Sequence, residues 1–478
     1  MPRDPEDPPQ PTVVLKFGGT SVSSAARWRT IARIVAARRA EGLHPVVVCS
    51  AAGGTSDDLA RALAGFDDEP LATTIFHEVR ARHVALADAL GVDGAAADGV
   101  LAAAKDRLAA ARALGELTPR THAQVMSAGE HASTRLGAAA LRAAGLDAVW
   151  TDARDLLTAE PTAPHDPTRW LAATCDHGHA PGLAATLRGE VTLTQGFLAG
   201  DAETGDVVLL GRGGSDTSAA YLAARLHADR LEIWTDVPGL FSAHPGIVAE
   251  AHRLAEVSYA EAACLASMGA RVLHPRCIAP VRHAGIPLEV RCTSHPELTG
   301  TTVHHAGGEG VRAVTHRPGL HLVRMRRPPR WQQVGFLADV TAIFRDHGLS
   351  IDLLATSQGQ IQATIDPASA PLAEARLGAL LTDLEAVCEP ELVDGVASVS
   401  LVGTGLSRSL GDLGEALEAF APHRIGVVVT AADDTHVTFV LPDEEVEAAV
   451  RGLHARLFPV RAPKPGTRTG SSPALGAP

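Results

Sequence analysis

At 478 residues the chain is too long for one ordinary core, so two or three domains are expected. A net charge of −13 without a basic cluster argues against a nucleic-acid partner, and no apolar run reaches the roughly 18 residues of a membrane helix. Six Cys at 49, 175, 264, 277, 292 and 388 form no CxxC pair, which fits a reducing cytoplasm better than a zinc ribbon or a disulfide framework.

Residues 1–10 are polar and Pro-rich, read as disordered rather than as a signal peptide. Val13-Val-Leu then predicts a short buried strand, followed by Lys16, Gly18, Gly19, Thr20 and Ser21, and by a helix pattern from Ser24. Strand, glycine loop and helix is a layout that aims backbone N–H groups and a helix N-terminus at phosphate. The spacing matches neither the P-loop nor the dinucleotide fingerprint. Composition adds weight, because the chain has only three Lys, at 16, 105 and 464, among 42 Lys plus Arg. A Lys kept at a strand end where Arg is the habitual cation offers a compact point charge, suited to a transferring phosphoryl group.

Further on, 45–50 predicts a second buried strand running into the small-residue loop 51–56. Residues 57–113 and 119–144 read as helical, the latter carrying Glu130. The Pro- and His-rich stretch 160–181 reads as irregular, and strands recur near 148, 190 and 230. Strands alternating with helices predict an α/β fold, a mainly parallel sheet with helices on both faces. From Gly319 the rhythm changes to a β-loop-α-β unit used twice, about 75 residues apart, as in paired small-molecule-sensing modules.

Gly211-Arg-Gly-Gly-Ser-Asp forms a second glycine loop. Arg212 suits a carboxylate bidentately and Asp216 an ammonium, so the loop can read a zwitterion such as an amino acid. His77 and His83 lie six apart, which misses the zincin spacing.

With these residues in hand, the chain resembles the aspartokinases, and among them the lysine-sensitive monofunctional bacterial type. The resemblance runs from about Val13 to Phe458 through KFGGTSV, SAGE, TQGF, LGRGGSD, WTDVPG and VLHP in order, then GFLADVTAIFRDHGLSIDLLATS. It implies ATP-dependent phosphorylation of the β-carboxylate of L-aspartate, with Mg²⁺. The implied fold is an amino-acid-kinase α/β sandwich followed by two α+β ACT domains, in a cytoplasmic homodimer or higher oligomer. The implied boundaries are a catalytic domain at 11–305, a first ACT domain at 318–392 completed by part of 443–459, a second at 393–460, and a disordered tail at 461–478. By motif, Lys16 and Asp216 would be catalytic. Thr55, Glu130, Arg212 and Asp216 would hold aspartate. Lys16, Gly18, Gly19, Ser21, Thr235, Asp236, Phe241 and Arg271 would line the nucleotide site. Asp352 and Gln358 would face an amino-acid effector at the ACT domains.

The chain departs from the family at several places. His244 and Gly246 stand where the family has Asp-Pro-Arg, Arg271 replaces Lys, and Gln358 replaces Glu. These departures predict a weakened nucleotide site and reduced control by lysine. Two alternatives stay open: an enzyme of a specialised biosynthetic pathway, and a non-catalytic regulatory paralogue that binds aspartate.

Overall fold

The structure is a computed structural model and describes residues 10–163, 166, 168–270, 272–327, 334–367, 373–408 and 414–459. The terminal stretches read as disordered, apart from Gln10, and Arg271 lie outside the described residues. The chain divides into two compact units. The first comprises Met1–Phe241, Arg253–Glu309 and Val402–Thr404; the second comprises Ser242–His252, Gly310–Leu401 and Gly405–Pro478.

In the first unit the strands are β1 (Thr12–Phe17), β2 (His44–Cys49), β3 (Ala148–Trp150), β4 (Val191–Gln195), β5 (Leu198–Gly200), β6 (Val207–Leu209), β7 (Arg230–Thr235), β8 (Glu256–Ser258), β9 (Leu288–Cys292) and β10 (Thr301–His304). Eight of them form one sheet in the order β3-β4-β2-β1-β7-β9-β10-β8, while β5 and β6 make a separate hairpin. All its strand pairs are parallel except β9 with β10. The expected mainly parallel α/β sheet is therefore what forms. β1 lies between β2 and β7, with Lys16 in register with Val48 and Ile233. Buried on both faces, β1 and β2 read as continuous apolar runs rather than as alternation.

The helical stretches hold with local differences. Residues 57–113 contain the helices Thr55–Ala64, Glu69–Leu90 and Ala95–Leu114. The expected single helix 119–144 is two, Pro119–Met126 and Ala128–Ala143. The break falls at Ser127, whose hydroxyl donates to Gln124 O at 2.9 Å, a back-bond that bends helices. Close packing on the second helix admits no side chain at Gly137, where a Cβ would stand 2.1 Å from the Trp28 ring.

The second unit carries β11 (Gly310–Arg326), β12 (Leu353–Ser357), β13 (Gln360–Ile365), β14 (Glu389–Thr404, its last residues counted with the first unit), β15 (Val427–Thr430) and β16 (His436–Pro442). They form one sheet in the order β12-β13-β11-β14-β16-β15. Two helix-backed cores sit on it. The helices Phe336–Asp346 and Ala373–Leu384 pack Val340, Phe344 and Leu380 on Val323, Ile361 and Ala363. The helix Val446–Leu457 packs Ala449, Val450 and Leu453 with Val399, Leu401 and Phe439, joined by Val314 of β11. β11 thus serves both cores. The sequence pattern missed β13 and the helix at 373–384, and it expected shorter strands than β11 and β14.

Ser242–His252 is the unexpected member of this unit. Ser242, fully buried, takes the His252 N–H at 3.0 Å and lies 2.9 Å from His454 Nε2. Ala243 and Val248 join the core of the last helix. His244 and Gly246 belong to this segment, where His244 Nδ1 accepts the Gly246 N–H at 3.1 Å.

Candidate active site

Three loops meet near the C-terminal ends of β1 and β2, the sheet end where open α/β folds bind ligands. Lys16 leaves β1 there. Its Nζ lies 2.6 Å from Asp216 Oδ1, and each side chain is 13% exposed. Asp216 occupies the first turn of the helix Gly214–Leu226, capped by Gly213 at φ +68°. A carboxylate at that position also gains from the partial positive charge of the helix N-terminus.

The loop after Lys16 is a 3₁₀ turn, Gly19–Val22, preceded by Gly18. Gly19 O accepts the Gly53 N–H at 3.2 Å, and a Cβ on Gly19 would stand 2.9 Å from Ala51 O. The two loops clasp backbone to backbone, which is why glycine stands there. The Ser21 hydroxyl pairs with Thr293 Oγ1 at 2.9 Å just past β9, so this side chain fastens the loop to the sheet.

Thr55 opens the helix Thr55–Ala64 after Gly54 at φ +78°. Glu130 sits in the first turn of the helix Ala128–Ala143, where its Oε1 accepts the Ala51 N–H at 3.3 Å. Gly129 lets that helix approach, since a Cβ there would meet Ala51 Cβ at 2.9 Å and Thr55 Cγ2 at 3.1 Å. Thr55 Oγ1 and Glu130 Oε2 are both buried without a hydrogen-bond partner. Buried polar atoms left open are costly unless something completes them, and here they border the same loop. Burial pushes the Glu130 carboxyl up to about 8, against the opposing pull of the Ala51 N–H. Arg212 is exposed between Gly211 and Gly213, four residues before Asp216.

Thr235 ends β7 and Asp236 follows it, where Thr235 Oγ1 donates to Asp236 Oδ1 at 3.1 Å. Next to them Phe17 and Trp234 stack with centroids 6.0 Å apart. Phe241 bridges to Arg253. A cavity of about 340 Å³ opens on the loop that carries Thr55, lined by Ser23, Gly53, Arg82, His83 and Leu86 among others; Lys16, Glu130 and Arg212 are not in its wall. Asp352 and Gln358 lie in the second unit. Arg317 approaches Asp352 at 3.6 Å and Asp366 at 3.7 Å, and burial raises the Asp352 carboxyl above its usual range. Gln358 is exposed in the turn between β12 and β13.

The sequence missed the supporting groups: the Ala51 N–H, Thr293, and Arg276, whose Nη1 donates to Leu210 O at 2.5 Å. Each acts across a long sequence separation and has no local signature.

Residues 11–292 match the amino acid kinase family. Over 456 residues the chain is 32% identical to the lysine-sensitive aspartokinase 3 of Escherichia coli, covering 93% of this chain and 99% of that protein. It is 30% identical over 469 residues to the chloroplastic aspartokinase 1 of Arabidopsis thaliana, covering 94% and 80%. The solved structure of E. coli aspartokinase III in complex with aspartate and ADP superposes with a TM-score of 0.80 at 31% identity, covering 94% of this chain and all of that one. The same enzyme in complex with lysine and aspartate gives 0.77. Within the amino acid kinases, the chain belongs to the aspartokinases.

Proposed function

We propose that this protein transfers the γ-phosphoryl group of ATP to the β-carboxylate of L-aspartate, giving 4-phospho-L-aspartate and ADP, the first step toward amino acids of the lysine, threonine and methionine type. The observation that carries this reading is the Lys16–Asp216 pair beside two unsatisfied buried groups, Thr55 Oγ1 and Glu130 Oε2. Aspartate supplies what they lack: an ammonium for Glu130 and a carboxylate to accept from Thr55. Arg212 takes the α-carboxylate as a fork. A β-carboxylate oxygen bonds to the γ-phosphorus as the bond to the β–γ bridging oxygen breaks. The nucleophile is already ionised, so no base has to remove a proton. Catalysis reduces to positioning and charge neutralisation, the usual demand of phosphoryl transfer. Lys16 meets the phosphoryl oxygens, and Asp216 aims Lys16.

The glycines at 18 and 19 fit the nucleotide phosphates, with Thr235, Asp236 and Phe241 toward the remainder of ATP. Among the described residues no cluster of three His, Cys, Asp or Glu could cage a metal. Asp236 would hold Mg²⁺ arriving on the phosphates, as that ion is ordinarily held by one or two carboxylates plus substrate. When bound, Mg²⁺ neutralises charge on the transferring group.

Six free, buried Cys favour a cytoplasmic setting; among the described residues no helix is long and apolar enough to cross a membrane. The test is a hydroxamate assay with ATP, Mg²⁺ and L-aspartate. Hydroxamate formation that needs all three is expected, and its absence in folded protein rejects the reading.

A further inference from the structure

The loop Leu210–Gly214 carries Arg212 and leads into Asp216, and within it one turn bond, the Gly214 N–H on Gly211 O at 2.9 Å, sets its shape. Gly211 and Gly213 both take positive φ, +70° and +68°, leaving Arg212 between two permissive residues. From outside, the loop is held by the Leu210 N–H on Phe197 O at 2.8 Å and by Arg276. Its Nη1 donates to Leu210 O at 2.5 Å and its Nη2 to Ala173 O at 3.2 Å. Nη1 also lies 3.3 Å from where a Gly211 Cβ would stand, so the guanidinium packs on the backbone of the loop. Ala173 is tied back to the same strand end, its N–H donating to Leu209 O at 2.9 Å. The turn that presents Arg276 is closed by His274, whose Nδ1 accepts the Arg276 N–H at 3.3 Å. The His274 ring covers Gly213 closely enough that a Cβ there would stand 2.1 Å from its Cγ.

We propose that Arg276 is a positioning residue for aspartate: its fork joins the 173 segment to the 210–214 loop and so fixes where Arg212 stands relative to Asp216. The proposal rests on reading Arg212 as the ligand of the aspartate α-carboxylate. It explains why a fork is needed, because two carbonyls on different segments must be met at once and a lysine ammonium is a single point. The bland role for Arg276, general stability of the unit, predicts a different pattern of kinetics.

The experiment compares Arg276→Ala, Arg276→Lys, Arg212→Ala and the double Ala variant, with hydrogen exchange of residues 209–216 in each. Arg276→Ala is expected to raise the aspartate KM about ten-fold or more, the scale of a lost charged hydrogen bond, while the ATP KM stays within about two-fold. Arg276→Lys should recover only part. The double variant should be no worse for aspartate than Arg212→Ala alone, because both changes act on one interaction. Exchange in 209–216 should quicken in Arg276→Ala without a matching rise elsewhere. Equal rises in both KM values, independent multiplication of the two defects, or unchanged exchange in the loop would overturn the proposal. If Arg212→Ala alone leaves the aspartate KM unmoved, the aspartate reading of the loop fails, and the exchange arm still decides whether Arg276 holds it.

Discussion

Lys16 Nζ and Asp216 Oδ1 lie 2.6 Å apart, joining the end of a central strand to the first turn of a helix 200 residues later in the chain. The pairing keeps a cation extended toward the glycine loop without a ligand. A Cβ on Gly18 would stand 3.5 Å from Nζ, so the ammonium already faces that loop.

The first prediction follows from that placement. Lys16→Ala should lower kcat by about 10²–10³-fold, the scale of removing one preorganised electrostatic donor. Lys16→Arg should not rescue it, because a planar fork is a poor substitute for a point charge beside Asp216. Steady-state kinetics on variants with wild-type melting temperatures check this. A kcat within a few-fold of wild type would remove Lys16 from the chemistry.

The second prediction concerns Glu130. Its folded carboxyl sits near 8 against an unfolded value of 4.5, with burial as the main cause. The folded state therefore holds the proton more tightly than the unfolded state. This group costs nothing below the unfolded value, and its stability contribution is lost as pH rises from about 4.5 to 8. Glu130→Gln should flatten that part of the stability profile. An aspartate ammonium beside Glu130 favours the ionised form, so binding should release protons at pH 7 and tighten between pH 6 and 8. Calorimetry in two buffers of different ionisation enthalpy measures the release; none would show that the ammonium binds elsewhere.

Much of this site was readable before the fold was known, for a physical reason. Lys16, the glycines at 18, 19, 211 and 213, Arg212 and Asp216 lie in two short loops whose backbone demands select glycine locally. The groups that complete them are not local. Glu130 takes its hydrogen bond from Ala51, 79 residues away, and Ser242 meets His454, 212 residues away. Periodicity cannot report such pairs. It likewise assigned 242–252 to the catalytic domain by sequence order, while Ala243 and Val248 are buried with the last helix. The parallel sheet was legible because β1 and β2 are built on unbroken apolar runs, Val13–Leu15 and Pro45–Cys49; β13, half polar and next to a glycine turn, was not.

A third prediction is that the protein is at least a dimer. The two modules bury part of their sheet on each other through Leu320, Leu353, Val396, Val427 and Val440. Of the two edge strands, β12 and β15, the latter carries Val428, which is 53% exposed. An exposed apolar edge is a template for pairing with another chain. Light scattering at micromolar concentration should give at least twice the 49.6 kDa chain mass. A monomer would rule this out.

The last prediction joins ATP affinity and lysine control. Gly246 and His244 stand where the family resemblance implies Asp-Pro-Arg, and the loss of one charged hydrogen bond to phosphate costs roughly 1.5–3 kcal/mol. That is about ten- to hundred-fold in the apparent Kd for ATP. In the second unit, Asp352 is already approached by Arg317 at 3.6 Å, and that guanidinium is shared with Asp366 at 3.7 Å. An incoming lysine ammonium would have to compete for a carboxylate that already has a cation nearby. Gln358, exposed in the adjoining turn, offers it no second negative charge. Inhibition by L-lysine should therefore be weak, and Gln358→Glu should strengthen it by restoring that charge. Calorimetry with ATP and with L-lysine on one preparation, beside inhibition curves for wild type and Gln358→Glu, measures both halves. Micromolar ATP binding contradicts the first, and strong inhibition of the wild type by sub-millimolar lysine contradicts the second.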